Sequence, residues 1–301
     1  MINKFKVSDF FDKSKIKQDN EFSVLGLIDQ YPDKMMLTFL ENEKYIEKFL
    51  KNKSINCVIT NMEIANKLSQ KLDMGIVIDD SPKLAFFRLH NKLANNPIYN
   101  RKSFPTTFGK NCNISKMSVI CEKNVIIGNN VIVEDFVSIK NNVIIGDNSI
   151  IRSGSIIGGS GFEFKKNNKG YFRIEHLGGV NIGKNVEIQY NCTIDKALYP
   201  WDDTIIGNYS KFDNLVHIGH AVKIGKNVLF PAGSTVSGRV EINDNVWIGV
   251  GSVISNGVHF GKDSRCNIGA VVTKNVNEGG SVSGNFAIDH KKYLEHIKKI
   301  R

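Results

Sequence analysis

No apolar run in the 301 residues approaches the length of a membrane span, and the opening Met1-Ile2-Asn3-Lys4-Phe5 lacks the apolar core of a secretory signal. The cysteines Cys57, Cys112, Cys121, Cys192 and Cys266 are scattered and form no CxxC pair. They read as reduced packing thiols in a cytoplasmic protein, not as a disulfide framework. Helix-turn-helix, zinc-finger and aromatic RNA-binding motifs are missing as well, so the net charge of +10 gives no case for nucleic acid. That charge suits an acidic partner or a phosphorylated substrate, and equally a solvated lysine-rich surface. The length allows two domains and a sizeable core.

What the chain does have is a six-residue grammar from about Ser115 to Val276. Apolar residues fall at Cys121, Ile127, Val133, Ile139, Ile145, Ile151 and Ile157, and again from Ile182 through Ile206, Ile218, Ile224 and Ile242 to Cys266. Four residues after many of them stands a small or β-branched residue, as at Val125, Val131, Val222 and Val228, with Gly, Asn and Asp between. Helices repeat at 3.6 and strands at two. A period of six therefore predicts one short strand plus a turn per hexad, three hexads closing each coil of a parallel β-helix. The hexad residue points into the prism and is buried coil on coil.

Residues 1–100 carry no hexads and predict a small α/β domain. Strands are expected at Phe22–Ile28, Met35–Phe39, Ile55–Ile59 and Gly75–Ile78, and helices at Glu43–Leu50, Met62–Leu72 and from Ser81-Pro82 to Ala94. Asn95–Pro105 reads as a linker to a β-helix domain over 101–277. The array breaks phase between Ile157 and Ile182, where Gly158–Gly179 is expected to leave the solenoid as a loop of functional interest. Tyr199-Pro200-Trp201-Asp202-Asp203 keeps the hexad count but not its residue types, which predicts a distorted turn or a second small loop. The extension 278–301 ends in a short basic helix, His290–Arg301, whose Tyr293, Ile297 and Ile300 are expected to pack on the open end of the prism.

The hexad frame sorts the seven histidines. His217 closes a hexad and should point out from a face. His220 is the third residue of its hexad, which puts it on an edge with Gly238 stacked one coil above. An edge histidine with a glycine N–H beside it is a base with an oxyanion donor; it is also simply what a turn histidine looks like. Zinc held by His217 and His220 is the rival use, but the two point different ways and no third histidine stacks one coil away, so no metal is expected. In the N-terminal domain, Phe39, Asn42 and Tyr45 present two aromatic rings and an amide, a shape suited to a planar base and equally to a small core.

Several strings resemble the UDP-3-O-acylglucosamine N-acyltransferases of lipid A synthesis. Met36-Leu37-Thr38-Phe39-Leu40-Glu41-Asn42-Glu43-Lys44-Tyr45 is similar to that family's uracil-binding segment, and so is Asp79-Asp80-Ser81-Pro82 through Leu89. Gly158-Gly159-Ser160-Gly161-Phe162, Thr193-Ile194-Asp195 and Asp213-Asn214-Leu215-Val216-His217-Ile218-Gly219-His220 match in the same order, so the resemblance runs along nearly the whole chain. It implies a mainly β fold: a left-handed parallel β-helix with a small N-terminal α/β domain binding the uridine nucleotide and a short C-terminal helix. It also implies a cytoplasmic homotrimer with sites between subunits, and no cofactor. His220 falls on the catalytic base, Gly238 on the oxyanion N–H and Asp213 on an aspartate near the base. Phe39, Asn42 and Tyr45 fall on the uracil pocket, with His176, His217 and Asn214 among the substrate-binding residues. The implied reaction moves an acyl group from an acyl carrier protein thioester to the 2-amino group of a UDP-sugar. Departures touch both substrates. Gly257 stands where the family has a second histidine, with His259 two residues on; Ala197–Trp201 is longer, and the C-terminal helical part is short. An acyl-coenzyme A enzyme acting on another UDP-amino sugar fits these departures. A metal-dependent lyase on the same scaffold and an inactive nucleotide-sugar-binding regulator are the readings from other classes.

Overall fold

The hexads close into a prism of three parallel sheets. A computed structural model describes residues 4–69, 73–284 and 287–300. Two of the sheets have eight strands and one has six, each strand hydrogen-bonded to the strand one coil above and below. Pairs such as Val125 with Val143, Ile132 with Ile150 and His217 with Thr235 show the eighteen-residue coil directly. Each hexad buries two positions: Ile127, Val131, Val133 and Val137 are all 2 % exposed or less, and their counterparts continue to Val276 in one unbroken core. At roughly 25 cal/mol per Å² of apolar surface this continuous core is the main stabilising term. Phe212 and Phe230 stack across adjacent coils with centroids 4.6 Å apart.

Turns explain the asparagines. One residue per turn is left-handed, including Asn130 (φ 55°), Asn148 (φ 59°), Asn227 (φ 56°) and Asn245 (φ 62°). Asparagine tolerates that region better than other residues with a Cβ. Stacked asparagines then bond along the prism, Asn130 Nδ2 to Asn148 Oδ1 at 2.9 Å and Asn245 Nδ2 to Asp263 Oδ1 at 2.8 Å.

By its contacts the chain forms two units, and the one holding the N-terminus is discontinuous: residues 1–104 are joined by 160–179 and 197–203. Its five-stranded sheet has the order β1 (Ile16–Gln18), β5 (Gly75–Ile78), β4 (Ile55–Thr60), β3 (Met36–Leu40), β2 (Val24–Leu25), parallel except for β1. The helices are α1 (Ile46–Lys51), α2 (Met62–Ser69) and α3 (Pro82–Leu93). The expected end of α2 at 70–72 lies outside the described residues. Residues 160–179 fold into an antiparallel hairpin, β6 (Phe164–Asn167) with β7 (Gly170–Arg173), and Ile174 is buried with Phe86 and Leu93. From 197–203, Tyr199 joins the same core, Trp201 donates from Nε1 to Leu25 O at 2.8 Å, and the Arg101 guanidinium holds Pro200 O, Asp202 O and the Asp203 carboxylate.

The second unit holds 105–159, 180–196 and 204–301. In it Thr193 pairs with His217, six residues more than one coil. The 197–203 segment is therefore the second loop and a full insertion, not a distorted turn; its length of about one hexad hides it from a count. The C-terminal helix α4 (His290–Ile300) also departs from expectation, with Tyr293 49 % and Leu294 44 % exposed and Ile297 only half-buried. Residue 301 and the Ile300 side chain are not described.

Candidate active site

His220 and Gly238 meet on one edge of the prism. Strand β9 (His217–Ile218) ends in the turn Gly219-His220-Ala221, with Ala221 left-handed at φ 58°. One coil above, β10 (Thr235–Val236) ends in Ser237-Gly238-Arg239, with Arg239 at φ 59°. A Cβ built on Gly238 would lie 2.4 Å from His220 Nε2 and 2.7 Å from Cε1. The imidazole thus lies against the Gly238 α-carbon, in space that any other residue would occupy. Around it the ladder runs from Ser237 N to Ile254 O (3.0 Å) and from Arg239 N to His220 O (2.8 Å). Among the described residues no hydrogen bond uses the Gly238 N–H between them.

That contrasts with the other two edges. There several of the corresponding N–H groups are capped by side chains of a neighbouring coil: Asn129 N by Asp147 Oδ1 at 2.9 Å, Lys226 N by Asp244 Oδ1 at 2.7 Å, Tyr190 N by Asn214 Oδ1 at 3.2 Å. Asp213 belongs to this capping set. Its Oδ1 takes Asn214 N at 2.7 Å and its Oδ2 takes Ala232 N at 3.2 Å. Asp213 and Asn214 hold turns on a different edge from His220, and no contact joins Asp213 to that ring.

On the face leading to the edge, β8 (Thr193–Asp195) lies one coil below β9. His217 Nδ1 is 2.8 Å from Thr193 Oγ1, and its Nε2 is 3.9 Å from Asp195 Oδ2, beyond hydrogen-bonding distance. Both groups shift toward neutrality, as shared burial without a bond requires: burial pushes the Asp195 carboxyl up to about 6 and the His217 imidazole below its ordinary value. Thr204 ties this face to the His220 turn. Its buried hydroxyl donates to Asp195 O at 2.6 Å and accepts from Ala221 N at 2.9 Å. Thr193, Asp195 and Thr204 were not among the residues the hexad frame singled out. Asp195 did carry a signal: a carboxylate one residue after hexad residue Ile194, where the stacked coil has Gly219.

Above Gly238, the Arg239 guanidinium donates to Asn256 Oδ1 at 3.0 Å, and Gly257 is left-handed at φ 71°. His259, two residues on, lies away from this edge. It sits on another sheet, paired with Glu241, whose carboxylate is 3.5 Å from its Nδ1.

The remaining candidates lie in the first unit. Phe39, half-buried near the end of β3, packs on Phe86 and Phe87 at 5.1 and 6.1 Å. Asn42 caps a 3-10 turn over Glu43–Tyr45, its Oδ1 accepting from Lys44 N at 3.0 Å. Tyr45 is 45 % exposed with the Lys44 ammonium 4.8 Å from its ring centre. These three are close in chain and present two rings and an amide. His176 is buried, with Nδ1 3.2 Å from Ile174 O. Among the described residues no three His, Cys, Asp or Glu side chains converge as metal ligands.

Family models place the prism. The bacterial transferase hexapeptide model (six repeats) matches residues 124–159 and 203–238, and the hexapeptide repeat of succinyl-transferase matches 105–135 and 239–274. Curated relatives include UDP-3-O-acylglucosamine N-acyltransferases of Saccharophagus degradans (49 % identical over 84 residues, 28 % of this chain and 22 % of that protein) and Dechloromonas aromatica (46 % over 85 residues, 27 % and 24 %). A further one is the N-acyltransferase 2 of Legionella pneumophila, 43 % identical over 82 residues, 27 % of this chain and 23 % of that protein. The chain thus spans about a quarter of the length of the curated relatives it matches. Among solved structures, a UDP-N-acetylglucosamine acyltransferase aligns with TM-score 0.54 at 22 % identity, covering 65 % of this chain and 75 % of that one. An Arabidopsis UDP-N-acetylglucosamine acyltransferase aligns with TM-score 0.51 at 22 % identity, covering 64 % and 73 %. That likeness is one of fold: with the three stacked parallel sheets, it makes the prism a left-handed parallel β-helix.

Proposed function

We propose that this chain, a member of the bacterial hexapeptide-repeat transferases, is an N-acyltransferase that moves an acyl group from a carrier thioester to the 2-amino group of a UDP-sugar. UDP-3-O-acylglucosamine and an acyl carrier protein thioester are the first choice of substrates, on the strength of the named relatives. The observation that carries the reading is the His220 ring against Gly238, beside a backbone N–H that no hydrogen bond uses. His220 takes the proton as the amine nitrogen attacks the thioester carbon. The Gly238 N–H, fixed in direction by its neighbours' ladder bonds, donates to the tetrahedral oxyanion. The C–S bond then breaks, the proton passes to the departing sulfur, and the amide and free thiol leave. In this proposal Asp213, Asn214 and His217 order the surrounding coils, while Phe39, Asn42 and Tyr45 take the uracil and His176 belongs to the substrate-binding set.

A trimer working in the cytoplasm completes the proposal. Ile126 and Ile144 stack outward on one face, Ile205 follows two coils up the same sheet beyond Asn181, and each isoleucine is more than a third exposed, as a face that meets other copies would be. Lys291, Lys292, Lys298 and Lys299 on α4 suit an acidic carrier protein. Among the described residues no helix is long and apolar enough to cross a membrane. The second reading, an acyl-coenzyme A enzyme on a different UDP-amino sugar, is favoured by Gly257 standing where the resemblance calls for a histidine. An acceptor and donor screen with wild type and His220→Ala tests the proposal. Amide formation should appear with a UDP-amino sugar and fall by roughly 10²–10⁴-fold in the variant. An active His220→Ala trimer would sink the mechanism.

A further inference from the structure

The carboxylate of Asp195 is a largely but not fully buried group that this mechanism does not yet use. Its side chain is 15 % exposed, and among the described residues nothing donates a hydrogen bond to either oxygen. Nearby groups are already engaged or too far. The Lys196 ammonium is on Asn141 Oδ1 at 3.0 Å, the Thr204 hydroxyl is on the backbone oxygen of Asp195, and His217 Nε2 stays 3.9 Å away. Gly159, its partner in the ladder below, brings no side chain at all. A carboxylate that has lost most of its hydration and has no protein donor gains when a ligand supplies one.

Its position says which ligand. Asp195 follows Ile194, which is paired with Ile218, so it lies one coil below Gly219, next to the His220 turn to which Thr204 ties it. Resting on the acyl-transfer reading above, we infer that Asp195 is the docking group for the acceptor's amine, taking one of its N–H groups while another faces His220. A hydroxyl nucleophile has one hydrogen, which must go to the base, and so has none left for the carboxylate. An amine keeps one. Asp195 is thus the nitrogen-selective part of the site, with His217 held beside it on Thr193, and the proton taken by His220 still passes to the thiolate.

Calorimetry without any acyl donor tests this on full-length wild type and Asp195→Asn, titrated with UDP-glucosamine and with UDP-glucose, which carries a hydroxyl in place of the amine. Wild type should bind the amine ligand more tightly. The variant should lose roughly tenfold to a hundredfold for UDP-glucosamine, as for loss of a charge-assisted hydrogen bond, and stay within about twofold for UDP-glucose. Equal losses for both ligands, or none, would overturn the inference, as would wild type that does not bind UDP-glucosamine. A circular-dichroism melt confirms that the variant is folded. Turnover separates the two readings: an active His220→Ala removes the mechanism whatever the calorimetry gives. Conversely, amide formation that needs His220, with Asp195→Asn unchanged in KM and kcat, removes only the role of Asp195.

Discussion

The state of Asp195 makes a stability prediction that needs no substrate. Burial holds its carboxyl at about 6, against an ordinary value of 3.8. Between those values the folded chain keeps a proton that the unfolded chain has released. The contribution is therefore full below about pH 4 and lost as pH rises through about 6, the reverse of a salt-bridged carboxylate. At about 1.4 kcal/mol per pH unit the loss comes to about 3 kcal/mol. Among the described residues His217 on the facing strand is itself driven toward neutrality, the Lys196 ammonium is on Asn141, and burial alone accounts for the shift. Asp195→Asn carries no ionisable group, so the variant-minus-wild-type difference should grow by about 3 kcal/mol between about pH 4 and pH 8. For a unit of this size that is a relative gain of roughly 6–12 °C in Tm. Melting both proteins in parallel by circular dichroism cancels the acid losses common to each, such as those of Glu134 and Asp147, whose carboxyls are held low by Arg152 and Lys184 and backbone N–H groups. A pH-independent difference, or one that shrinks toward high pH, would refute the picture of a buried carboxylate without donors.

Other substitutions read other links. Gly238→Ala puts a methyl 2.4 Å from His220 Nε2 while keeping an ordinary backbone conformation; turnover should fall roughly 10²-fold from displacement of the base, with the melting temperature nearly unchanged. Thr204→Val removes the hydroxyl that satisfies Ala221 N and bonds Asp195 O, and denaturant unfolding should show a loss of about 1–3 kcal/mol from the stranded N–H. Phe212→Ala removes a ring stacked on Phe230 inside the prism, with an expected loss of about 3–5 kcal/mol in the same assay. Trp201→Phe deletes the indole N–H bond to Leu25 O and should cost about 1 kcal/mol without touching His220 chemistry.

Much of the fold was legible because a solenoid writes its contacts into its period. Burial at the hexad residue and four places later follows from strand alternation and one turn, and Ile127 with Val131 obeys it as well as Val236 with Val240. The stacking of Gly238 against His220 was legible for the same reason: no insertion separates those coils. Below His220 the same rule fails. Counting back one coil leads to Asp202, yet the ladder places Ile194 under Ile218 and so brings Asp195 into the site. Residues 197–203 leave the prism and fold with the N-terminal unit, where Arg101 and Leu25 hold them. An insertion about one hexad long preserves the count while shifting every contact across it. Asp195 was missed for that reason and not for lack of chemistry. The orientation of Asp213 was hidden differently: a motif string gives neighbours in sequence, whereas its two oxygens are committed to N–H groups on a separate edge.

The contrast between edges also explains why this scaffold can hold chemistry without bending. Every turn of the prism exposes N–H groups that want an acceptor. At several turns two edges answer with Asn and Asp from the neighbouring coil, spending those side chains on the fold. On the third edge the stacked residues are His220 and Gly238, and an imidazole against a bare α-carbon leaves the glycine N–H unused. The same edge holds the nearby Asp195 carboxylate without donors. A donor without an acceptor and an acceptor without a donor, on the coils directly above and below that of His220, describe the two ends of a ligand: a developing oxyanion and a nitrogen bearing hydrogens. The substitutions Gly238→Ala and Asp195→Asn should therefore act on different quantities, the first on kcat and the second on the affinity for the amine. A double variant whose losses multiply would show two independent contacts to one substrate, since effects at sites that share no partner add in free energy. Losses that fail to multiply would place both residues in service of His220 alone.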